Sequence, residues 1–189
     1  MKKNIIAALL VFGAAVNLAA GENIPRPEYP RPQFERQNWV NLNGEWTYRF
    51  DLNHVGLEKG YSESKGFDGT ILVPFSPESE LSGVGYTDFI TGIWYHRTLD
   101  VPAAWEGQRI FLNFGAVYYQ SEVFIDGKFV GRHFGGSSSF SFDITDFAAP
   151  GTSHDLVVYA QSDLRSMNQP AGKQSLMLGS HDCEYIRTT

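Results

Sequence analysis

The chain has 189 residues, 42% hydrophobic and 14% aromatic, with a formal charge of −6 and one cysteine, Cys183. An acidic balance without a basic cluster argues against nucleic acid or an anionic membrane surface as a partner. A lone cysteine excludes an intrachain disulfide, so packing must hold whatever fold forms.

The N-terminus reads MKKNIIAALLVFGAAVNLAAGEN: two lysines, an apolar run from Ile5 to Val16, then Ala19, Ala20 and Gly21. This is the layout of a secretory signal peptide, here assigned to residues 1–21. The run is too short to span a bilayer, which needs about 20 residues. Without cysteine at position 21 no lipid anchor is expected, so the predicted location is periplasmic or secreted, with no membrane anchor. Losing Lys2 and Lys3 with the leader takes the charge to −8.

Residues 22–37 carry four prolines, at 25, 27, 30 and 32, and predict an extended arm. The rest, 38–189, reads as one domain of short strands. GEWTYRF puts Trp46, Tyr48 and Phe50 on one face, and GTILVPF is a short apolar run ended by Pro74. IWYHRTLDV sets Tyr95, Arg97, Leu99 and Val101 opposite Trp94, His96 and Thr98, and RIFLNFG aligns Ile110, Leu112 and Phe114. SEVFIDGKFVG is two apolar runs joined by Asp126-Gly127, the signal of a type I′ hairpin. SFSFDIT and HDLVVYAQ add two more strands, and DITDFAAPG predicts one short helix. After Ser162 the alternation stops, and the remainder reads as one long loop, a kind usually functional in compact domains. Some seven short strands with aromatic filling predict an all-β fold, a jelly-roll β-sandwich.

Candidate chemistry is sparse. Ser180, His181, Asp182 and Cys183 are the letters of a hydrolase site, but consecutive residues of an extended chain point to alternate sides and cannot form a relay. The five histidines show no pair at metal-binding spacing, and one cysteine makes no zinc signature. Glu78 and Glu80 are expected in a solvated turn beside Pro77. Asp88, in a glycine-bounded loop with Tyr86 and Phe89, suits sugar binding and edge packing equally. Asp163 follows a strand directly and opens the long loop, where a carboxylate backed by a rigid sheet can bind sugar hydroxyls or simply cap a turn.

Several segments in order, LNGEW, WYHR, LNFGAV and DGKFVG, together with SDLRSMNQPAGKQ and YIRTT, resemble glycoside hydrolase family 2, the β-galactosidase, β-glucuronidase and β-mannosidase group. The set covers essentially all of the chain after the leader. The resemblance implies a jelly-roll sugar-binding domain, galactose-binding-domain-like, that precedes an immunoglobulin-like sandwich and a catalytic barrel. Both catalytic glutamates lie on that barrel, so no catalytic residue is expected here and this chain alone is predicted inactive. Asp163 resembles the family's pocket aspartate, with Lys173 and Gln174 bordering the same pocket. Tyr118 stands where many relatives have Asp or Asn, and no site is assigned to it. The expected partners are carbohydrate and the downstream sandwich and barrel domains. No cofactor is expected in this domain, and no metal site is assigned; the resemblance admits sodium or magnesium in the full-length enzyme. YIRTT leads, in the family, into the last strand of the jelly roll. The chain is therefore expected to stop short of that strand. The alternatives are a free-standing carbohydrate-binding module or a nonfunctional truncation product.

Overall fold

A computed structural model describes residues 24–166 and 168–170. Residues 1–21, where a leader is expected, Lys173, Gln174 and the Ser180–Cys183 tetrapeptide lie outside the described residues.

Among the described residues eight strands form, all in antiparallel pairs: β1 (Gly44–Phe50), β2 (Gly69–Val73), β3 (Gly92–Asp100), β4 (Phe111–Phe114), β5 (Gln120–Ile125), β6 (Lys128–Phe134), β7 (Phe140–Asp143) and β8 (Ser153–Gln161). Six make a large sheet in the order β2-β1-β3-β8-β5-β6, and β4 and β7 make a small one. The period-two alternation explains the layering. Trp46, Ile71, Leu99, Val123, Ile125, Leu156 and Val158 face Leu112, Ile110 and Ile144 across the sandwich and form the main buried cluster. The Asp126-Gly127 corner adopts φ of 49° and 76°, the two positive values a type I′ turn requires. Asp126 reinforces it: its Oδ1 accepts from Asp155 N at 2.9 Å, and its Oδ2 meets His154 Nδ1 at 2.7 Å.

The outer face of the large sheet is also apolar. Trp94, stacked on Tyr159 with centroids 4.4 Å apart, forms a second cluster with Phe124 and Val157. Tyr61 and Phe67, from the segment between β1 and β2, cover it. Asp51 sets the course of that segment. Its carboxylate accepts from Trp94 Nε1 at 2.9 Å, Val55 N at 2.9 Å and Gly56 N at 2.8 Å. Gly56 permits the approach, since a Cβ there would lie 2.2 Å from Trp94 Nε1.

Three expectations need correction. The arm is not extended throughout, because Pro32–Phe34 close a 3-10 turn. A proline with preset φ and no N–H suits the first position of such a turn. The arm is also docked: the carbonyls of Pro25 and Arg26 accept from Asn43 and Asn41, and Arg31 donates to Ser139 at 2.8 Å. No helix forms in DITDFAAPG; Phe147 N and Ala148 N both bond to Ile144 O, and the turn ends there. Pro150, lacking an N–H, blocks its continuation. Finally, Glu78 is buried at 6% exposure, whereas Glu80 is exposed. The 74–91 segment folds back on itself, with Tyr86 N donating to Pro77 O, and packs Tyr86 and Ile90 against the large sheet.

Candidate sugar-binding site

One end of the sandwich gathers the loops that follow β8 and β4 and precede β3. β8 delivers Asp163 there. Gln161 pairs with Gly92 and with Gln120, so the chain leaves β8 between β3 and β5, at the middle of the large sheet. Backbone bonds tie the loops together: Ser162 N to Thr91 O at 3.0 Å, Tyr119 N to Gln161 O at 3.0 Å, and Gly135 N to Tyr119 O at 2.9 Å. The Tyr118 hydroxyl donates to Pro170 O, and Gly136 lies against its ring, where a Cβ would be 1.8 Å from Cδ2.

Asp163 itself is half-buried. Its main chain is fully engaged. The N–H donates to Gln169 Oε1 at 3.0 Å, while the carbonyl accepts from Ser166 N at 3.2 Å and Ser166 Oγ at 2.7 Å. Gln169 in turn donates to Ser162 Oγ at 3.2 Å. These bonds shape the 3-10 turn Leu164–Ser166, and buried Leu164 anchors it. The turn is closed by backbone and by Ser166 and Gln169, not by the Asp163 carboxylate, which has no hydrogen-bond partner among the described residues. Turn capping therefore does not account for the carboxylate. Lys173 and Gln174 fall outside the described residues, so the structure places only Asp163 of the three expected pocket residues.

Asp88 is exposed on the neighbouring loop, its Oδ1 accepting from Phe89 N at 2.6 Å. Arg165, which sequence reading missed, has its guanidinium carbon 3.5 Å from the centre of the Phe89 ring. Nothing in the letters SDLR signals a partner 76 positions upstream. Among the described residues no group of three His, Cys, Asp or Glu side chains could hold a metal ion. No helix among them is long and apolar enough to cross a membrane.

The polar groups of the body are structural. Burial pulls the Asp51 carboxyl upward, yet the bonds from Trp94, Val55 and Gly56 outweigh it and leave it below the usual carboxylate value. Asp126 behaves likewise: burial raises it, and the bonds from His154 and the Asp155 N–H bring it below normal. Tyr95 is pushed upward first by burial and then by the nearby Glu78 charge.

Comparison with known proteins identifies the family of the domain. Residues 39–168 match the family described as glycosyl hydrolases family 2, sugar binding domain. A β-glucuronidase of Paenibacillus borealis is 28% identical over 134 residues, 70% of this chain and 22% of its own length. One from Bacteroides fragilis is 30% identical over 129 residues, 68% of this chain and 17% of its own. Among solved structures, the Ruminococcus gnavus β-glucuronidase in complex with D-glucuronic acid superposes with a TM-score of 0.60 at 26% identity, over 68% of this chain and 22% of that one. The Lactobacillus rhamnosus β-glucuronidase gives 0.58 at 29% identity, over 65% and 21%. The chain thus spans less than a quarter of the length of these relatives. With residues 39–168 matched by the family, this protein belongs to the sugar-binding domain family of the family 2 glycosyl hydrolases.

Proposed function

We propose that the chain serves as the N-terminal sugar-binding domain of an exported, retaining exo-β-glycosidase, acting in carbohydrate degradation. In this reading a downstream barrel supplies two carboxylates, one as acid and base and one as nucleophile. The present domain supplies part of the pocket wall through residues 162–170. The relatives named above are β-glucuronidases, and a Thermoanaerobacter pseudethanolicus relative, 33% identical over 64 residues, is a β-galactosidase. Both sugar classes are therefore substrates to test.

The observation that carries the reading is the Asp163 carboxylate. It sits at a strand end with its backbone held on both sides, and no described group consumes it. A fixed carboxylate accepts hydrogen bonds from a pair of sugar hydroxyls, and charge-assisted bonds of this kind contribute about 1.5–3 kcal/mol. Asp163→Asn, made in the product of the complete reading frame, is expected to lower kcat/KM for the preferred aryl β-glycoside by about ten- to a hundredfold. The melting temperature should stay unchanged. Activity within twofold of wild type on every glycoside tested makes Asp163 a turn residue only.

A further inference from the structure

We infer that Tyr118 is a positioning residue for Asp163: its hydroxyl holds the far end of residues 162–170 and, through Gln169, sets where the Asp163 carboxylate points. This rests on the reading of residues 162–170 as pocket wall. Tyr118 acts through Asp163 and not on the sugar directly.

Two consecutive residues hold the two ends of this loop. At its start Tyr119 N donates to Gln161 O at 3.0 Å, and at its end the Tyr118 hydroxyl donates to Pro170 O. Between these anchors the first half closes on itself, since Ser166 N and Oγ both bond to Asp163 O. Side chains hold the second half. Asn168 N reaches Ser166 Oγ at 3.3 Å, and Gln169 turns back to accept from Asp163 N and donate to Ser162 Oγ. A proline has no N–H, so Pro170 offers its carbonyl alone, and among the described residues the Tyr118 hydroxyl is the donor that meets it. Gln169, which fixes the Asp163 N–H, is the residue next to this anchor. Release of Pro170 therefore loosens Gln169, and with it the direction of Asp163.

The hydroxyl stands at a fixed point because the ring has little room to swing. Gly136 packs against it so closely that a Cβ there would lie 1.8 Å from Cδ2 and 2.7 Å from Cε2. The Tyr119 ring meets it edge-on, with centroids 5.7 Å apart. Backbone bonds fix the base, from Tyr119 N to Gln161 O and from Gly135 N to Tyr119 O at 2.9 Å. A tyrosine has two side-chain torsions, so a clamped ring places its hydroxyl with little further loss of freedom. A phenylalanine would pack the same surface, so packing alone accounts for the half-buried ring and not for the hydroxyl. What the hydroxyl adds is the tie across to Pro170.

The test measures kcat/KM in the product of the complete reading frame, on whichever of 4-nitrophenyl β-D-glucuronide and 4-nitrophenyl β-D-galactoside the wild type cleaves faster. Tyr118→Phe, Gly136→Ala and Asp163→Asn are compared with wild type, alone and with each of the first two added to Asp163→Asn. Each is also followed by thermal melt and by amide exchange at residues 163–169. Tyr118→Phe, which keeps the ring and removes the bond, should lower kcat/KM by about three- to tenfold. It should speed exchange at 163–169 and leave the melting temperature unchanged. Gly136→Ala, which keeps the hydroxyl and displaces the ring, should lower kcat/KM likewise. Added to Asp163→Asn, either change should cost less than about twofold, because groups that act through one another are not additive. An unchanged kcat/KM in Tyr118→Phe overturns the inference, as does a loss that persists in full when Asp163→Asn is already present. If Asp163→Asn is silent, or neither glycoside is cleaved, the pocket-wall reading fails and this inference with it. A loss on Asp163→Asn with none on Tyr118→Phe leaves that reading standing and removes only this one.

Discussion

Asp51 shows how one side chain holds a layer of the protein. Three donors, from Trp94, Val55 and Gly56, converge on a carboxylate that is only 4% exposed. Asparagine fills the same space but turns one acceptor into a donor. Asp51→Asn is therefore expected to destabilise by about 1–3 kcal/mol, the cost of a buried donor left unsatisfied; urea melts followed by tryptophan fluorescence check this. Because Asp51 and Asp126 both titrate below their ordinary value, each contributes stability above an unfolded-state pKa of about 3.9. That contribution is lost as pH falls through the lower folded value. Stability should thus decline below about pH 4, and the Asp51→Asn variant should show a shallower decline. Ser121 presents the opposite case. Its hydroxyl is fully buried and has no partner among the described residues. Ser121→Ala is expected to leave stability unchanged or raise it by up to about 1 kcal/mol, as removal of an unpaired buried hydroxyl predicts.

Between elements, the decisive joints are turns and close approaches. The β5–β6 corner needs positive φ at Asp126 and Gly127, and Asp126 also binds β8 through His154 and Asp155. Asp126→Ala loses both the tolerance for that backbone and two charge-assisted bonds. A loss of about 2–3 kcal/mol is expected, with faster amide exchange confined to β5, β6 and the start of β8. Gly56 is a second joint. A methyl group there meets the Trp94 indole and the Asp51 carboxylate, with 2.6 Å to Trp94 Cε2 and 2.7 Å to Asp51 Oδ2. Neither can retreat without breaking the bond between them. Gly56→Ala should cost about 1–3 kcal/mol, the range for overpacking. A thermal melt no lower than wild type would show that the 51–68 segment moves aside freely.

Taken entire, the chain belongs to a sugar-binding domain family and spans less than a quarter of its relatives' length, and we propose that catalysis needs domains beyond it. No residue matches either barrel glutamate of the resembled family, so the 189-residue chain alone is expected to give no hydrolysis of aryl β-glucuronides or β-galactosides. Turnover that co-purifies with the chain, free of host glycosidases, overturns this. Export is proposed from the Lys2-to-Gly21 layout, and the mature protein is expected to begin at Gly21 or Glu22 without a lipid. Intact-mass measurement of exported material decides it, and retention of Met1 there refutes it.

The pattern of alternation already contained the strands, because a half-buried strand leaves its period in neighbouring letters. GEWTYRF, IWYHRTLDV, RIFLNFG and HDLVVYAQ all became strands, and Asp126-Gly127 marked the hairpin. The strand-end position of Asp163 was equally legible, as was the family. What could not be read were contacts made when loops return to the sheet. Glu78 looks solvated among Ser and Pro and becomes buried only because residues 74–91 fold back. Trp94 and Tyr159 lie on the outward face of their strands, where alternation alone suggests solvent; the 51–68 segment, clamped by Asp51, makes that face a second core. Arg165 and Phe89 meet because β3 and β8 are neighbours in the sheet, which brings the loops at their ends together. Such meetings depend on strand order, a long-range property that local spacing does not encode.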